Sequence, residues 1–302
     1  GKPLNNEWLS ENISAIVDVW EPGMYGGQAL AEILFGEVNP SGKLPITIPK
    51  HAGQIPMYYY QRPSRYWTGY GLGSSREDEK PAFCFGHGLS YTSYEYSGLK
   101  IDSVIPQTQD IEFTFTVKNT GNMAGKEVVQ LYVKDCTSSA IRPEKELKGF
   151  EKVFLNPGET KTVTMELDKR SFAWYNTELH DWFAASGEYK LLVGTSSRDI
   201  HLEGRIHLNS SQELPMHVHM NTTLGELFRN PKTSETAKEL TAKYISAMNV
   251  GEESSSEAAS EAVTEEMTEA MTDSMPLRAL VSFGGYSREE LTEIIKKLNK
   301  LV

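Results

Sequence analysis

Apolar and polar positions change their period several times along this chain. Ile13, Ala15, Ile16, Val17 and Val19 make a short apolar, β-branched run of the buried-strand kind. Gly26-Gly27 then opens a predicted helix whose apolar face is Ala29, Leu30, Ile33 and Leu34, with Gly36 placed to cap its end. Asn39-Pro40-Ser41-Gly42 is a turn, and the prolines of Lys43-Leu44-Pro45-Ile46-Thr47-Ile48-Pro49 suit an edge segment rather than an interior strand. After Gly98 the period falls to two. Ile111, Phe113, Phe115 and Val117 alternate with polar residues, as do Val129, Leu131 and Val133, then Val163, Met165 and Leu167, then Tyr189, Leu191 and Val193. Turns at Asn119-Thr120-Gly121-Asn122, Asn156-Pro157-Gly158-Glu159 and Ser186-Gly187 separate these runs, a spacing that predicts an immunoglobulin-like sandwich.

From about residue 209 the pattern turns helical. Thr223 with Glu226 fits a capping box before Leu227, and Ala237, Leu240, Tyr244, Ile245 and Met248 recur at helical spacing. Ser287 with Glu290 caps a last amphipathic helix lined by Leu291, Ile294, Ile295, Leu298 and Leu301. The stretch from Met57 to Tyr96 shows weak periodicity and many aromatic residues, which favours packing over a ligand-facing loop.

Composition alters this picture in one place. The 302 residues hold 30 Lys and Arg against 41 Asp and Glu, a net charge of −11, the wrong sign for a nucleic-acid binder. Eight of the acids, Glu252, Glu253, Glu257, Glu261, Glu265, Glu266, Glu269 and Asp273, crowd one low-complexity stretch without a Lys or Arg. That stretch reads as a flexible linker or a polar helix, and the rest of the chain is near neutral. No apolar run is long enough to span a membrane. Cys84 and Cys136 make neither a disulfide framework nor a zinc pattern, so two free buried thiols are expected. Gly1 stands where Met would open a chain, so processing or truncation is expected; a cytoplasmic location is favoured, with a leader ahead of Gly1 left open.

Four ordered motifs, over roughly residues 1–205, carry a resemblance. Pro22-Gly23-Met24-Tyr25-Gly26-Gly27-Gln28-Ala29-Leu30-Ala31 runs on to Asn39-Pro40-Ser41-Gly42-Lys43-Leu44-Pro45. Phe85-Gly86-His87-Gly88-Leu89-Ser90-Tyr91-Thr92 is next, then Val117-Lys118-Asn119-Thr120-Gly121, and last Arg142-Pro143 with Glu146-Leu147-Lys148-Gly149-Phe150 and Pro157-Gly158-Glu159. In this order they resemble glycoside hydrolase family 3, its β-glucosidases above all. The resemblance implies an α/β plus all-β chain: a partial α/β sandwich domain with an aromatic-rich connector over 1–97 and a fibronectin type III-like sandwich over 98–208; the helical period and the run of acids add a helical segment over 209–250, an acidic linker over 251–274 and an amphipathic helix over 275–302. Met275-Pro276-Leu277-Arg278-Ala279-Leu280 also resembles tails of bacterial relatives. The family places a (β/α)8-type barrel, with an Asp nucleophile, ahead of the α/β domain, whose earlier part supplies a Glu acid/base; neither stretch is in this sequence.

The implied activity is retaining hydrolysis of terminal β-linked sugars, which needs two carboxyl groups about 5–5.5 Å apart. No catalytic residue is therefore expected here, no metal and no cofactor. Trp20, Glu21 and Tyr25 are the candidate substrate-binding residues, because they follow a predicted strand at the end where open α/β sheets bind ligands, and aromatic faces stack on sugar rings. Family members often carry Glu where Tyr25 stands. Glu77, Asp78 and Glu79 read as a solvated charge run, His217 and His219 as a surface pair short of a third ligand, and Gly69, Gly71 and Gly73 as no dinucleotide fingerprint. The expected partners are a β-linked oligosaccharide or glycoside, bound through a complete enzyme, and the barrel in cis or in trans. The rival reading is a non-catalytic accessory module docked on a barrel-bearing partner. Neither nucleic acid nor membrane is expected as a partner, and oligomeric state is left open.

Overall fold

The computed structural model describes residues 4–61, 80–102, 104–106, 110–138, 140–212, 214, 216–249, 272–283 and 285–302. They fall into two compact units, one built from 4–61, 80–137 and 143–212, the other chiefly from 214–302. The acidic stretch, the charge run at 77–79 and the glycines at 69, 71 and 73 lie outside the described residues, with the sole exception of Asp273.

In the first unit the N-terminal stretch holds two short helices, α1 (Glu7–Asn12) and α2 (Gly26–Leu34). Asn6 caps α1 through its side chain, which accepts the Leu9 amide at 3.0 Å. Helix α2 begins and ends at the predicted glycines. Gly26 is buried with Pro22 so close that a Cβ would strike it, and Gly36, at φ +77°, leaves the helix in the left-handed conformation. The predicted strand over 13–19 does not form: these residues belong to no strand or helix, with Ile13, Ile16, Val17 and Val19 exposed. A strand is stable only with a neighbour to accept its backbone bonds, and among the described residues none pairs with it.

The sandwich follows. Strands β1 (Tyr94–Lys100), β3 (Ile111–Asn119) and β6 (Thr160–Leu167) form one sheet in the order β1-β3-β6. The other sheet holds β2 (Val104–Pro106), β4 (Gly125–Asp135), β5 (Glu146–Leu155), β9 (Gly187–Gly194) and β10 (Ile200–Asn209), ordered β2-β10-β9-β4-β5 and antiparallel apart from the β2–β10 pair. A hairpin of β7 (Trp174–Asn176) and β8 (Asp181–Phe183) projects between β6 and β9 in sequence. The alternation read from the sequence sets the inner faces. Phe113, Phe115 and Val117 on β3 and Val163, Met165 and Leu167 on β6 meet Val129, Leu131 and Val133 on β4 and Tyr189, Leu191 and Val193 on β9 in one buried core. Full burial of each large side chain contributes roughly 1.5–3 kcal/mol.

The sheet of β4 and β9 is covered on its other face as well, where Gln130, Tyr132 and Leu192 are buried. The cover is the connector. Tyr59 stacks on Phe85 at 4.2 Å and meets Tyr132 edge-on at 5.9 Å, and its hydroxyl accepts the Leu147 amide at 3.1 Å. The free cysteines depart from expectation: Cys84 is half-buried in this cover, with its thiol 3.4 Å from Ser196 Oγ, and Cys136 is exposed at the end of β4.

The second unit is helical: α3 (Leu224–Arg229), α4 (Ser234–Asn249), α5 (Ala279–Phe283) and α6 (Arg288–Leu298). Both predicted capping boxes form, Thr223 with Glu226 and Ser287 with Glu290. Leu224, Leu227, Ala237, Leu240, Tyr244, Leu277, Leu280, Leu291 and Leu298 close its core together with Val218. Asn299 fixes the strap at Val218 by accepting its amide at 2.8 Å and donating to its carbonyl at 2.7 Å. Among the described residues no helix is long and apolar enough to cross a membrane.

Candidate functional site

Trp20, Glu21 and Tyr25 share the turn between the 13–19 stretch and α2. Three backbone features shape it. Trp20 has φ +49°, a region a bulky residue enters at a cost of roughly 1–2 kcal/mol, and its amide donates to Asp18 Oδ1 at 3.1 Å. Gly23, at φ +69°, closes the turn, where the Gly26 amide donates to the Gly23 carbonyl at 3.2 Å. Tyr25 then occupies the N-cap of α2 and makes no side-chain cap bond. The turn thus presents two aromatic side chains and one carboxylate outward: Tyr25 is 73% exposed, Glu21 is exposed and Trp20 is half-buried. Rings so placed can stack on a flat apolar ligand face.

A buried polar seam, absent from the sequence reading, fixes this stretch to the sandwich. The segment after α2 pairs with the Phe85-Gly86-His87-Gly88 motif: the Leu44 amide donates to His87 O and the Gly86 amide to Leu44 O, both at 2.8 Å, and Ile48 bridges Phe83. Asn39, itself buried, accepts the Tyr91 amide at 2.6 Å and bonds Ser90 Oγ at 2.9 Å, while Tyr91 Oη donates to the Ile33 carbonyl at the end of α2 at 2.9 Å. Gln130 on β4 donates to Gly86 O at 3.1 Å and to Thr195 O at 2.5 Å and accepts the Tyr132 hydroxyl at 2.6 Å.

The glycines of the motif are demanded by this packing. A Cβ on Gly86, which sits at φ +80°, would strike the Gln130 carboxamide, and one on Gly88 would strike the Gly42 carbonyl and the Lys43 stem. At the rim of the sandwich core Lys43 Nζ lies 3.1 Å from Glu127 Oε1 and donates to Gly88 O at 3.3 Å. Tyr96 Oη donates to the same carboxylate oxygen at 3.2 Å, with His201 stacked on the Tyr96 ring at 4.7 Å. Burial pushes the Glu127 carboxyl above the usual range, against the pull of Lys43, the Tyr96 bond and His201. Burial likewise lowers His87, with Lys43 adding to the effect. One signal in the sequence pointed here: Glu127 stands on the apolar face of β4, in step with Val129, Leu131 and Val133.

Other candidates stay apart. The His217 and His219 rings are 6.3 Å apart and His219 Nδ1 accepts the Asn221 amide at 3.1 Å. Among the described residues no cluster of three or more His, Cys, Asp or Glu is placed to hold a metal ion.

Residues 1–91 match the glycosyl hydrolase family 3 C-terminal domain, and residues 127–197 match the fibronectin type III-like domain. The chain belongs to glycoside hydrolase family 3. It carries the end of that family's α/β sandwich domain, with α2 and the turn ahead of it, and the fibronectin type III-like sandwich that follows. Thermostable beta-glucosidase B of Acetivibrio thermocellus is 40% identical over 311 residues, an alignment covering all of this chain, helical unit included, and 40% of that protein. A putative beta-xylosidase of Formosa agariphila is 44% identical over 192 residues, 63% of this chain and 25% of the relative. Among solved structures, a β-glucosidase of Erythrobacter marinus superposes with a TM-score of 0.64 at 42% identity, covering 69% of this chain and 27% of its own. The chain therefore spans a quarter to two fifths of the length of these family 3 relatives, and matches their C-terminal part.

Proposed function

We propose that this chain serves as the C-terminal part of a retaining β-glycosidase, a β-glucosidase first of all, that removes terminal β-linked sugars from oligosaccharides or glycosides. Its match along its whole length to thermostable beta-glucosidase B of Acetivibrio thermocellus carries this reading. In it, residues 1–97 complete an α/β domain, 98–208 form the sandwich and 209–302 a helical tail interrupted by the acidic stretch. A barrel, in the same polypeptide or on a partner, supplies the nucleophile, and an earlier stretch of the α/β domain supplies the acid/base. The exposed apolar residues Ile13, Ile16, Val17 and Val19 support it, since an unpaired β-branched run has the character of a strand that belongs inside a sheet. Trp20 and Tyr25 border the sugar by stacking, and Glu21 lies at the rim as a hydrogen-bond acceptor, not as an acid/base.

The test replaces the matched C-terminal 40% of the Acetivibrio thermocellus enzyme with this chain. The chimera is expected to hydrolyse p-nitrophenyl β-glucoside, and the isolated chain to leave it intact. Trp20→Ala or Tyr25→Ala in the chimera should raise KM roughly three- to tenfold with kcat little changed, the loss of one stacking contact. A folded but inactive chimera overturns the reading, as does turnover by the isolated chain that Glu21→Gln abolishes.

A further inference from the structure

We propose that Lys43 and Glu127 form a charge-paired register latch, which fixes α2 and the Trp20–Tyr25 turn to one seat on the β-sandwich. The sandwich thereby determines where the turn points; that consequence rests on the functional reading above, while the latch itself does not. Glu127 is 3% exposed and Lys43 12%, so neither charge is reached freely by water, and each has the other at 3.1 Å as its compensating charge. The latch closes a continuous path. Ile33, at the end of α2, is tied to Tyr91, Tyr91 to Asn39, Leu44 to His87, and Lys43 to both Gly88 and β4.

Apolar burial alone would tolerate a small slide of the 39–48 segment, because the hydrophobic effect is nondirectional. A slide that parts Lys43 from Glu127 leaves each largely buried charge without its counter-charge, which is severe. The pair therefore penalises wrong seats more than it deepens the right one. The raised carboxyl of Glu127 agrees with this division, for burial there outweighs the attraction of Lys43. A registry role of this kind differs from a stabilising one in what its removal does. Replacing both charges by apolar groups of like size should leave the sandwich standing and only loosen the seat.

The experiment is hydrogen–deuterium exchange on the full chain, read by peptide, with thermal unfolding alongside. In the double variant Lys43→Met with Glu127→Leu, peptides over 26–48 are expected to exchange at least tenfold faster, while peptides of β3, β4 and β9 keep wild-type protection. Lys43→Arg, which keeps the charge, should stay within twofold of wild type over 26–48. Lys43→Gln with Glu127→Gln, which removes both charges and keeps polar groups there, is read in the same way and decides the matter should the apolar double variant fail to fold. Exchange over 26–48 within twofold of wild type in either charge-removing variant overturns the latch, and so does an increase spread evenly through the sandwich. An inactive chimera with the expected exchange pattern would count against the functional reading and leave the latch in place.

Discussion

Gly86→Ala isolates the close approach between the connector and the sandwich. Two costs follow from the geometry. Gly86 sits at φ +80°, where a residue with a Cβ is disfavoured by roughly 1–2 kcal/mol. The new Cβ would also strike the Gln130 carboxamide, which is buried and committed to Gly86 O, Thr195 O and the Tyr132 hydroxyl. Displacing that carboxamide leaves at least one buried polar group without its partner, about 1–3 kcal/mol. The total is about 2–5 kcal/mol, which at roughly 2–4 °C per kcal/mol for a unit of this size lowers Tm by about 4–20 °C. Gly158→Ala is the control. Gly158 has nearly the same backbone, φ +76°, but nothing lies within 4 Å of the position its Cβ would take, so it incurs the backbone cost alone. Calorimetric unfolding of wild type and both variants gives the difference directly. Should Gly86→Ala lower Tm no further than Gly158→Ala, the clash with Gln130 does not exist and the seam is packed otherwise.

Two further outcomes are expected. The folded-state carboxyl of Glu127 lies above its ordinary value of 4.5, so its contribution to stability is fully present below about pH 4.5 and is lost as pH rises through the folded value. It faces Lys43, Tyr96 and His201, with Tyr94 and Asp199 close by; all of these remain in Glu127→Gln, so the comparison reads what depends on the Glu127 charge, its interactions with them included. In urea titrations from pH 4 to 8, wild type should lose stability relative to Glu127→Gln as pH rises; a gain would reverse the sign and refute the assignment. Ser287→Ala should destabilise the helical unit by about 1 kcal/mol through loss of the α6 cap. Ellipticity melts would show that loss in the helical transition, and equal loss in the sandwich transition would contradict the division into two units.

What the sequence disclosed follows the range of its signals. The periods of two that placed Phe113, Phe115, Val129, Leu131, Val163, Leu167, Leu191 and Val193 hold because both sheets bury one face in a common core, so alternation maps onto burial. Local caps were equally legible: Gly36, Thr223 with Glu226 and Ser287 with Glu290 each act within a few residues of the backbone they satisfy. Strands β1, β5 and β10 escaped that reading. Their burial is broken or one-sided, as where Phe150 and Phe154 of β5 face solvent. The run at 13–19 failed for the opposite reason. Its composition is that of a strand, but composition cannot supply the neighbour that pairing requires.

The seam was legible as a motif and illegible as a structure. Phe85-Gly86-His87-Gly88 stood out in the sequence, but nothing local explains it: the glycines answer to Gln130 and to Gly42, forty-odd residues away on either side. The same holds for Lys43, an ordinary surface residue by type, whose burial depends on Glu127 being displaced onto an apolar face of β4. A charged residue in phase with a hydrophobic alternation is costly unless a counter-charge arrives from elsewhere in the chain. That makes such a residue a usable sign of an incoming segment. Within β4 it points to Glu127, which is buried beside Val129, and the loop that answers it follows α2, the helix whose other end carries the Trp20–Tyr25 turn.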